Sequence, residues 1–353
     1  MELTFNSAVM GVGISGIRRF TALAKSIPGA CLLTMGEPDL NTPEAVKDAA
    51  KAALDRNDTH YPEGNGNQYL REAVSRFEAE KNGLRYSPEE VVLTIGATEG
   101  LFAALFAILN PGDEVVIPTP AFTLYESIAH LCRGVPVLLP TEDSRFQISP
   151  EALRAAITPR TKAVVLTSPN NPTGCVYTRE TLDGIHEVLK DQPIFVLCDE
   201  VYRQLSYTGE YRSFSGYRDM RDRLIVIQSF SKPYAMTGWR VGYLMADAPV
   251  CGRIKVVHQY DVVSAPSFVQ PACLEALRYD NSADVELFHR RGEYVYGRLT
   301  RMGLEVQKPE GAFYMFPDVR KFGMDSVTFC TRLLRENLVA LVPGVYFGTE
   351  GYV

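Results

Sequence analysis

Segments typical of buried strands alternate with helix-like segments from about residue 43 to about residue 250. Residues 163–167 (AVVLT) and 224–228 (LIVIQ) are apolar runs rich in β-branched side chains, as in strands that are covered on both faces. Such strands, separated by helices, build parallel sheets. The pattern therefore predicts an α/β fold: a three-layer αβα large domain with a mostly parallel sheet.

From about residue 285 the pattern changes to a mixture of helices and short strands, which predicts a smaller α+β domain. Strands are expected around residues 311–316 (GAFYMF) and 339–343 (VALVP). At roughly 150 residues per domain, a chain of this length suggests two or three domains. We expect residues 1–40 to form an N-terminal arm and part of the small domain, 41–284 the large domain, and 285–353 the C-terminal small domain.

Composition excludes several classes of protein. The chain has 36 Lys and Arg against 42 Asp and Glu, a formal charge of -6, so nucleic acid and anionic membranes are poor partners. Its seven cysteines are scattered and odd in number, which favours neither a disulfide framework nor a metal site and fits a reducing cytoplasm. The longest apolar run, residues 101–109, is about half of the ~18 residues that a membrane span needs.

The segment from Gly11 to Gly16 fits the dinucleotide-binding pattern G-x-G-x-x-G. That fingerprint needs a strand before it and a helix opening from it. Only ten residues, MELTFNSAVM, precede this segment. We therefore interpret it as part of a flexible N-terminal arm and not as a phosphate loop.

Polar residues follow several of the predicted strands, where ligands of open α/β sheets bind. Asp199 ends the strand IFVLCDE, and Tyr202 lies three residues later. Lys232 follows another buried strand in the segment SFSK. A capping acid and a surface lysine are the ordinary alternatives, but a lysine in an apolar crevice is a candidate Schiff-base nucleophile, because desolvation lowers its pKa.

Three further features lie at the same predicted edge. Gly96, Ala97 and Thr98 open a helix, and free backbone N–H groups at a helix N-terminus can bind phosphate. Asn171 belongs to the loop SPNNPTG, and Arg240 lies eight residues after the lysine. Turn chemistry alone explains the composition of the Gly96 turn and of the SPNNPTG loop. Their common position, with an acid and an amine, predicts one site for a phosphate-bearing ligand.

These motifs, in this order from Gly36 onward, resemble the pyridoxal-phosphate aminotransferases of fold type I, class I/II. The similarity is greatest to the bacterial branch that includes aspartate, aromatic and N-acetyl-diaminopimelate aminotransferases. The segments KFGMDS and VHQYDVV favour the N-acetyl-diaminopimelate aminotransferases. The segments that carry the resemblance are GEPDLNTPE, YPEGNGNQYLREAV, SPNNPTG, DEVYRQLSY, SFSKPYAMTGWRVGY and KPEGAFYMFP.

The resemblance implies a cytoplasmic transaminase that binds pyridoxal 5'-phosphate and exchanges an amino group between an amino acid and a 2-oxo acid. Lys232 would bond to the cofactor aldehyde, and Asp199 would pair with the pyridine nitrogen. The other implied roles concern the cofactor ring, the phosphate and the substrate. Asn171 and Tyr202 would bind the ring oxygen, Phe122 would stack on the ring, Ala97, Thr98, Ser229 and Arg240 would hold the phosphate, and Gly36 and Asn171 would lie by the substrate.

The family also implies a homodimer with shared active sites, because Tyr61 matches a tyrosine that reaches the phosphate of the neighbouring subunit. Two positions depart from the family pattern. Thr98 stands where some aspartate-preferring relatives carry a lysine. The arginine that binds the substrate carboxylate would follow Gly351-Tyr352-Val353, where the sequence ends, so we expect 353 residues to be a shortened form of the chain.

Three other functions stay open at this stage. A carbon–sulfur β-lyase could use the same lysine and aspartate but would eliminate at the substrate Cβ. A regulatory protein related to aminotransferases would need a DNA-binding domain, and the roughly 40 residues before the core contain no helix-turn-helix pattern. A dinucleotide-dependent oxidoreductase rests on the segment from Gly11 to Gly16 alone.

Overall fold

The computed structural model describes residues 3–209 and 211–353, and within them the chain forms nine strands and twelve α-helices. The strands are β1 (Cys31–Leu32), β2 (Val91–Thr94), β3 (Glu114–Thr119), β4 (Val135–Pro140), β5 (Thr161–Thr167), β6 (Phe195–Asp199), β7 (Leu224–Ser229), β8 (Gly242–Ala246) and β9 (Val339–Ala340). The helices are α1 (Ser7–Met10), α2 (Gly16–Lys25), α3 (Glu44–Asp55), α4 (Gln68–Asn82), α5 (Gly96–Ile108), α6 (Leu124–Leu131), α7 (Pro150–Ala156), α8 (Arg179–Leu189), α9 (Ala248–Asp261), α10 (Gln270–Arg278), α11 (Ser282–Arg301) and α12 (Ser326–Asn337).

Seven strands form one sheet in the order β2-β8-β7-β6-β5-β3-β4. Every neighbouring pair is parallel except those of β8, which runs antiparallel to both β2 and β7. Alternate residues of β5 enter different cores: Ala163 and Val165 pack with α5, α6 and α9, whereas Val164 and Leu166 pack with α7 and α8. Helices thus cover both faces, and the predicted three-layer, mostly parallel architecture is confirmed.

A second, two-stranded sheet pairs β1 with β9 in parallel, which joins residues near the two ends of the chain. A separate apolar core lies beside it, in which Phe20 and Ala24 of α2 pack against residues from the C-terminal region. These C-terminal residues are Val319, Cys330, Leu334, Ala340 and Val353. The domain boundaries at residues 40 and 284 stay a prediction. Met1 and Glu2 of the predicted arm lie outside the described residues.

The glycine-rich N-terminal segment agrees with the sequence expectation, whereas residues 311–316 require a correction. The segment from Gly11 to Gly16 leads from the end of α1 into the first residue of α2, and no strand precedes it in the chain from Leu3 onward, as expected of a segment that is no dinucleotide loop. Helix α2 packs into the small core, and the flexible arm stays a prediction. Residues 311–316 form no strand, because Ala312 has a φ of 58° and the aromatic side chains of Phe313 and Tyr314 turn into a cavity.

None of the helices in the described part of the chain is both long and apolar enough to cross a membrane. No three His, Cys, Asp or Glu side chains in that part are grouped so that they could hold a metal ion.

Candidate active site

The carboxyl ends of β2, β5, β6 and β7 lie at one edge of the large sheet, because these strands are mutually parallel. The antiparallel β8 begins at this edge, which brings the preceding Arg240 there as well. A cavity of about 920 Å³ lies at the edge. Among the residues predicted from the sequence, those that line it are Gly36, Ala97, Thr98, Phe122, Asn171, Asp199, Tyr202, Ser229, Lys232 and Arg240.

Asp199 is the buried acid of the cavity. It ends β6 and is 5% exposed. One carboxylate oxygen accepts a hydrogen bond of 2.8 Å from the Tyr125 hydroxyl, and the other accepts one of 3.3 Å from the Val201 N–H. Burial raises the pKa of Asp199 to about 6, although both hydrogen bonds favour the charged form. A carboxylate in this position needs a cationic ligand to offset its desolvation.

Lys232 places its amine in the same cavity. The Nζ atom donates a hydrogen bond of 2.5 Å to the carbonyl oxygen of Gly36. Burial, opposed by Glu37 and assisted by the cation of Arg240, lowers the pKa of the amine to about 8. A larger share of this lysine is therefore unprotonated near neutral pH than of a lysine in water, as a nucleophile or a general base requires.

The turn after β2 forms a cationic concavity at the start of α5. Gly96 has a φ of 70°, and a Cβ at this position would lie 2.6 Å from Nη2 of Arg240. The positive φ favours glycine at this position, and the Arg240 guanidinium lies close to it. Ala97 and Thr98 follow in the first helical turn, whose N–H groups have no partner within the helix. This arrangement suits a phosphate group.

Aromatic and amide groups complete the walls. The hydroxyls of Tyr202 and Tyr314 lie 2.5 Å apart. Burial raises the pKa of Tyr202 well above its usual value, so its hydroxyl stays neutral and able to donate. Asn171 and Phe122 also line the cavity, and Phe122 is 36% exposed.

Tyr61 does not line this cavity and is 88% exposed. Its predicted contact with the phosphate of a neighbouring subunit stays a prediction.

Residues 29–353 match the family model described as "Aminotransferase class I and II". The chain belongs to this family. The aminotransferase is 43% identical to a probable N-acetyl-LL-diaminopimelate aminotransferase of Bacillus subtilis, over 100% of this chain and 91% of the relative. It is 38% identical to aromatic-amino-acid aminotransferase 2 of Thermococcus litoralis, over 97% and 90% of the two chains.

Solved structures give the same result. The aspartate aminotransferase from Thermus thermophilus with maleate superposes on this aminotransferase with a TM-score of 0.94 at 37% identity. The match covers 100% of this chain and 94% of the other. The predicted family, the fold and the transaminase activity are therefore confirmed. The comparisons give no support to the alternative β-lyase.

Sequence reasoning missed several residues of the cavity. Tyr125 of α6 connects two strands, because its hydroxyl accepts a hydrogen bond of 2.9 Å from Thr167 while donating to Asp199. Its position three residues after the predicted Phe122 was a possible signal. Tyr314 was also missed, because residues 311–316 were expected to form a strand.

A second missed feature lies under the cavity. The buried guanidinium of Arg203 pairs with the carboxylate of Glu78 at 2.6 Å and with that of Glu200 at 2.7 Å. Glu200 and Arg203 follow Asp199 and Tyr202, respectively, by one residue. The ion-pair network therefore anchors the segment that carries both cavity side chains.

Proposed function

We propose that this aminotransferase uses pyridoxal 5'-phosphate, bound in the cavity at the carboxyl edge of the sheet. Two groups in one cavity carry the proposal. One is the buried carboxylate of Asp199, which has no cationic hydrogen-bond partner among the described residues, and the other is the amine of Lys232, whose pKa is lowered. A pyridinium nitrogen is the cationic partner that Asp199 needs. An aldehyde is the group with which the Lys232 amine reacts. The donor set therefore fits this cofactor.

The remaining parts of the cofactor also match the residues present. We assign the phosphate to the N–H groups of Ala97 and Thr98, to Ser229 and to Arg240. Asn171 and Tyr202 are the donors for the ring oxygen, and Phe122 is the aromatic side chain that covers the ring. The Arg240 guanidinium lies beside Gly96, at the start of the helix that carries Ala97 and Thr98, which supports its assignment to the phosphate.

When bound, the cofactor supplies an electron sink that stabilises negative charge on the substrate Cα. The Asp199 carboxylate would keep the ring nitrogen protonated and positively charged. The Lys232 amine would take a proton from the substrate Cα as general base, and the ammonium so formed would donate that proton, as general acid, at the former aldehyde carbon of the cofactor within the same half-reaction. Because the lysine is fixed in the cavity, proximity contributes much of the rate.

Aminotransferases act on amino acids and 2-oxo acids, and we propose glutamate and 2-oxoglutarate as one pair of substrates. The relatives include enzymes named for aspartate, for aromatic amino acids and for N-acetyl-LL-diaminopimelate. These names support the same three classes for the second substrate. We further propose a homodimer, in which the exposed Tyr61 reaches the phosphate of the partner subunit.

The test is covalent trapping. We expect borohydride reduction of the protein with pyridoxal 5'-phosphate to attach one pyridoxyl group to Lys232, as located by mass spectrometry of the peptides. Lys232→Ala should abolish this label and the transfer of amino groups to 2-oxoglutarate. Lys255→Ala, at a lysine outside the cavity, is the matched control. Labelling of another lysine in the wild-type protein, or normal turnover by Lys232→Ala, would refute the assignment.

A further inference from the structure

Four cationic side chains line the cavity within the described residues: Arg18, Lys232, Arg240 and Arg291. Three of them have a partner or an assignment. Arg291 forms an ion pair of 2.7 Å with Asp39, Arg240 faces the turn at Gly96, and Lys232 is the proposed cofactor lysine. Arg18 is the fourth, and its side chain forms no ion pair or hydrogen bond with any described residue.

Helix α2 fixes the position of Arg18. Ile17 lines the cavity, and Phe20 is buried in the small core, so the helix is held with Arg18 at the cavity rim. Arg18 is itself exposed, which leaves the guanidinium free to meet a ligand that enters. The adjacent Arg19 is also exposed but does not line the cavity.

A second donor faces the same cavity. Thr34 lines it and is 6% exposed, yet its hydroxyl has no hydrogen-bond partner among the described residues. It lies two residues after β1, the strand against which α2 packs, so it belongs to the element beside Arg18. A buried hydroxyl without a partner costs free energy unless a ligand accepts its hydrogen bond.

We propose that Arg18 and Thr34 form a subsite for the second carboxylate of dicarboxylic substrates. The proposal rests on the proposed function and specifies its substrate class. The substrate amine must reach Lys232, whose Nζ lies against the Gly36 carbonyl, so the α-carboxylate stays in the inner part of the cavity. The side chain of the substrate then extends towards the rim. Arginine binds a carboxylate through two parallel hydrogen bonds, and the Thr34 hydroxyl adds another donor.

Neither of the nearby acids, Asp39 and Glu37, forms an ion pair with Arg18. Asp39 is paired with Arg291, and the Glu37 carboxylate accepts a hydrogen bond from the Thr237 hydroxyl. Thr98, which also lines the cavity, supplies no cation. Among the described cavity residues, Arg18 is therefore the one cation available to a side-chain carboxylate.

The first test compares glutamate with phenylalanine in the half-reaction of the cofactor-loaded protein. Arg18→Met should lower kcat/KM for glutamate by about 10- to 100-fold, the effect of a lost hydrogen bond to a charged group, and leave phenylalanine unchanged. Arg18→Lys should recover part of the loss, and Arg19→Met should change neither substrate. Equal losses for both amino acids, or no loss for glutamate, would overturn the proposal.

A binding measurement keeps the test independent of turnover. Titration calorimetry with succinate and with butyrate, which has one carboxylate fewer, should show a preference for succinate that Arg18→Met removes. Thr34→Val should weaken succinate binding and raise the melting temperature, because it removes the unpartnered hydroxyl. Unchanged succinate affinity in both variants contradicts the subsite. If no amino acid reacts, the proposed function fails, whereas the titration still decides the role of Arg18.

Discussion

Asp199 is predicted to destabilise the cofactor-free protein at neutral pH, and Asp199→Asn should remove this cost. Burial raises the pKa of this carboxyl from 3.8 to about 6, so the folded protein holds a proton that the unfolded chain releases. Stability is therefore lost as the pH rises from about 4 to about 6. The difference between these pKa values corresponds to ~3 kcal/mol at pH 7.5 and to about half of that at pH 5.

The assay is urea unfolding of the cofactor-free protein at both pH values. Asp199→Asn should raise the free energy of unfolding by at most about these amounts, since asparagine carries no charge and its oxygen still accepts from Tyr125, while its amide leaves the Val201 N–H without an acceptor. Asp191→Asn, at an exposed position, changes the net charge equally and should have little effect. The reasoning would be refuted if Asp199→Asn were no more stable than the wild type. It would also be refuted if the difference in free energy of unfolding between the two proteins did not change with pH.

Two further predictions concern the residues around this acid. Tyr125→Phe removes a hydrogen bond to the carboxylate worth roughly 1.5–3 kcal/mol, which raises the pKa of Asp199 further. The acid limb of the pH profile of kcat/KM should therefore move to higher pH, and an unmoved limb would contradict this role. Arg203→Met leaves two buried carboxylates without their cation, so we expect urea unfolding to show a loss of about 3–5 kcal/mol. The exposed Arg19→Met should lose almost nothing, and equal losses in the two variants would show that burial is not the cause.

Much of the cavity could be predicted because its residues sit immediately after strands. Asp199, Asn171 and Lys232 follow apolar runs that are recognisable in the sequence, and parallel pairing brings the ends of such strands to one edge. The structure places these side chains on one cavity, while the chemical role of each stays a prediction.

The missed features depend on contacts between distant segments. Tyr125 contacts Asp199, which is 74 residues away in the sequence, and Arg203 contacts Glu78, which is 125 residues away. No local pattern encodes such pairs. The antiparallel direction of β8 follows from the short connection after β7, which places Arg240 at the cavity edge.

The prediction of a strand at residues 311–316 was wrong for another reason. Their aromatic side chains suggest a half-buried strand, but Phe313 and Tyr314 are partly buried in a cavity wall and not in a sheet. Aromatic composition indicates burial without specifying what provides it.

The most direct test of the account follows the amino group itself. Glutamate labelled with ¹⁵N is incubated with the cofactor-loaded protein and an unlabelled 2-oxo acid, such as the one derived from phenylalanine. The account predicts equal amounts of 2-oxoglutarate and ¹⁵N-labelled product amino acid, and neither product with Lys232→Ala. Free ¹⁵N-ammonia in place of the labelled amino acid, or label transfer that does not depend on Lys232, would contradict it.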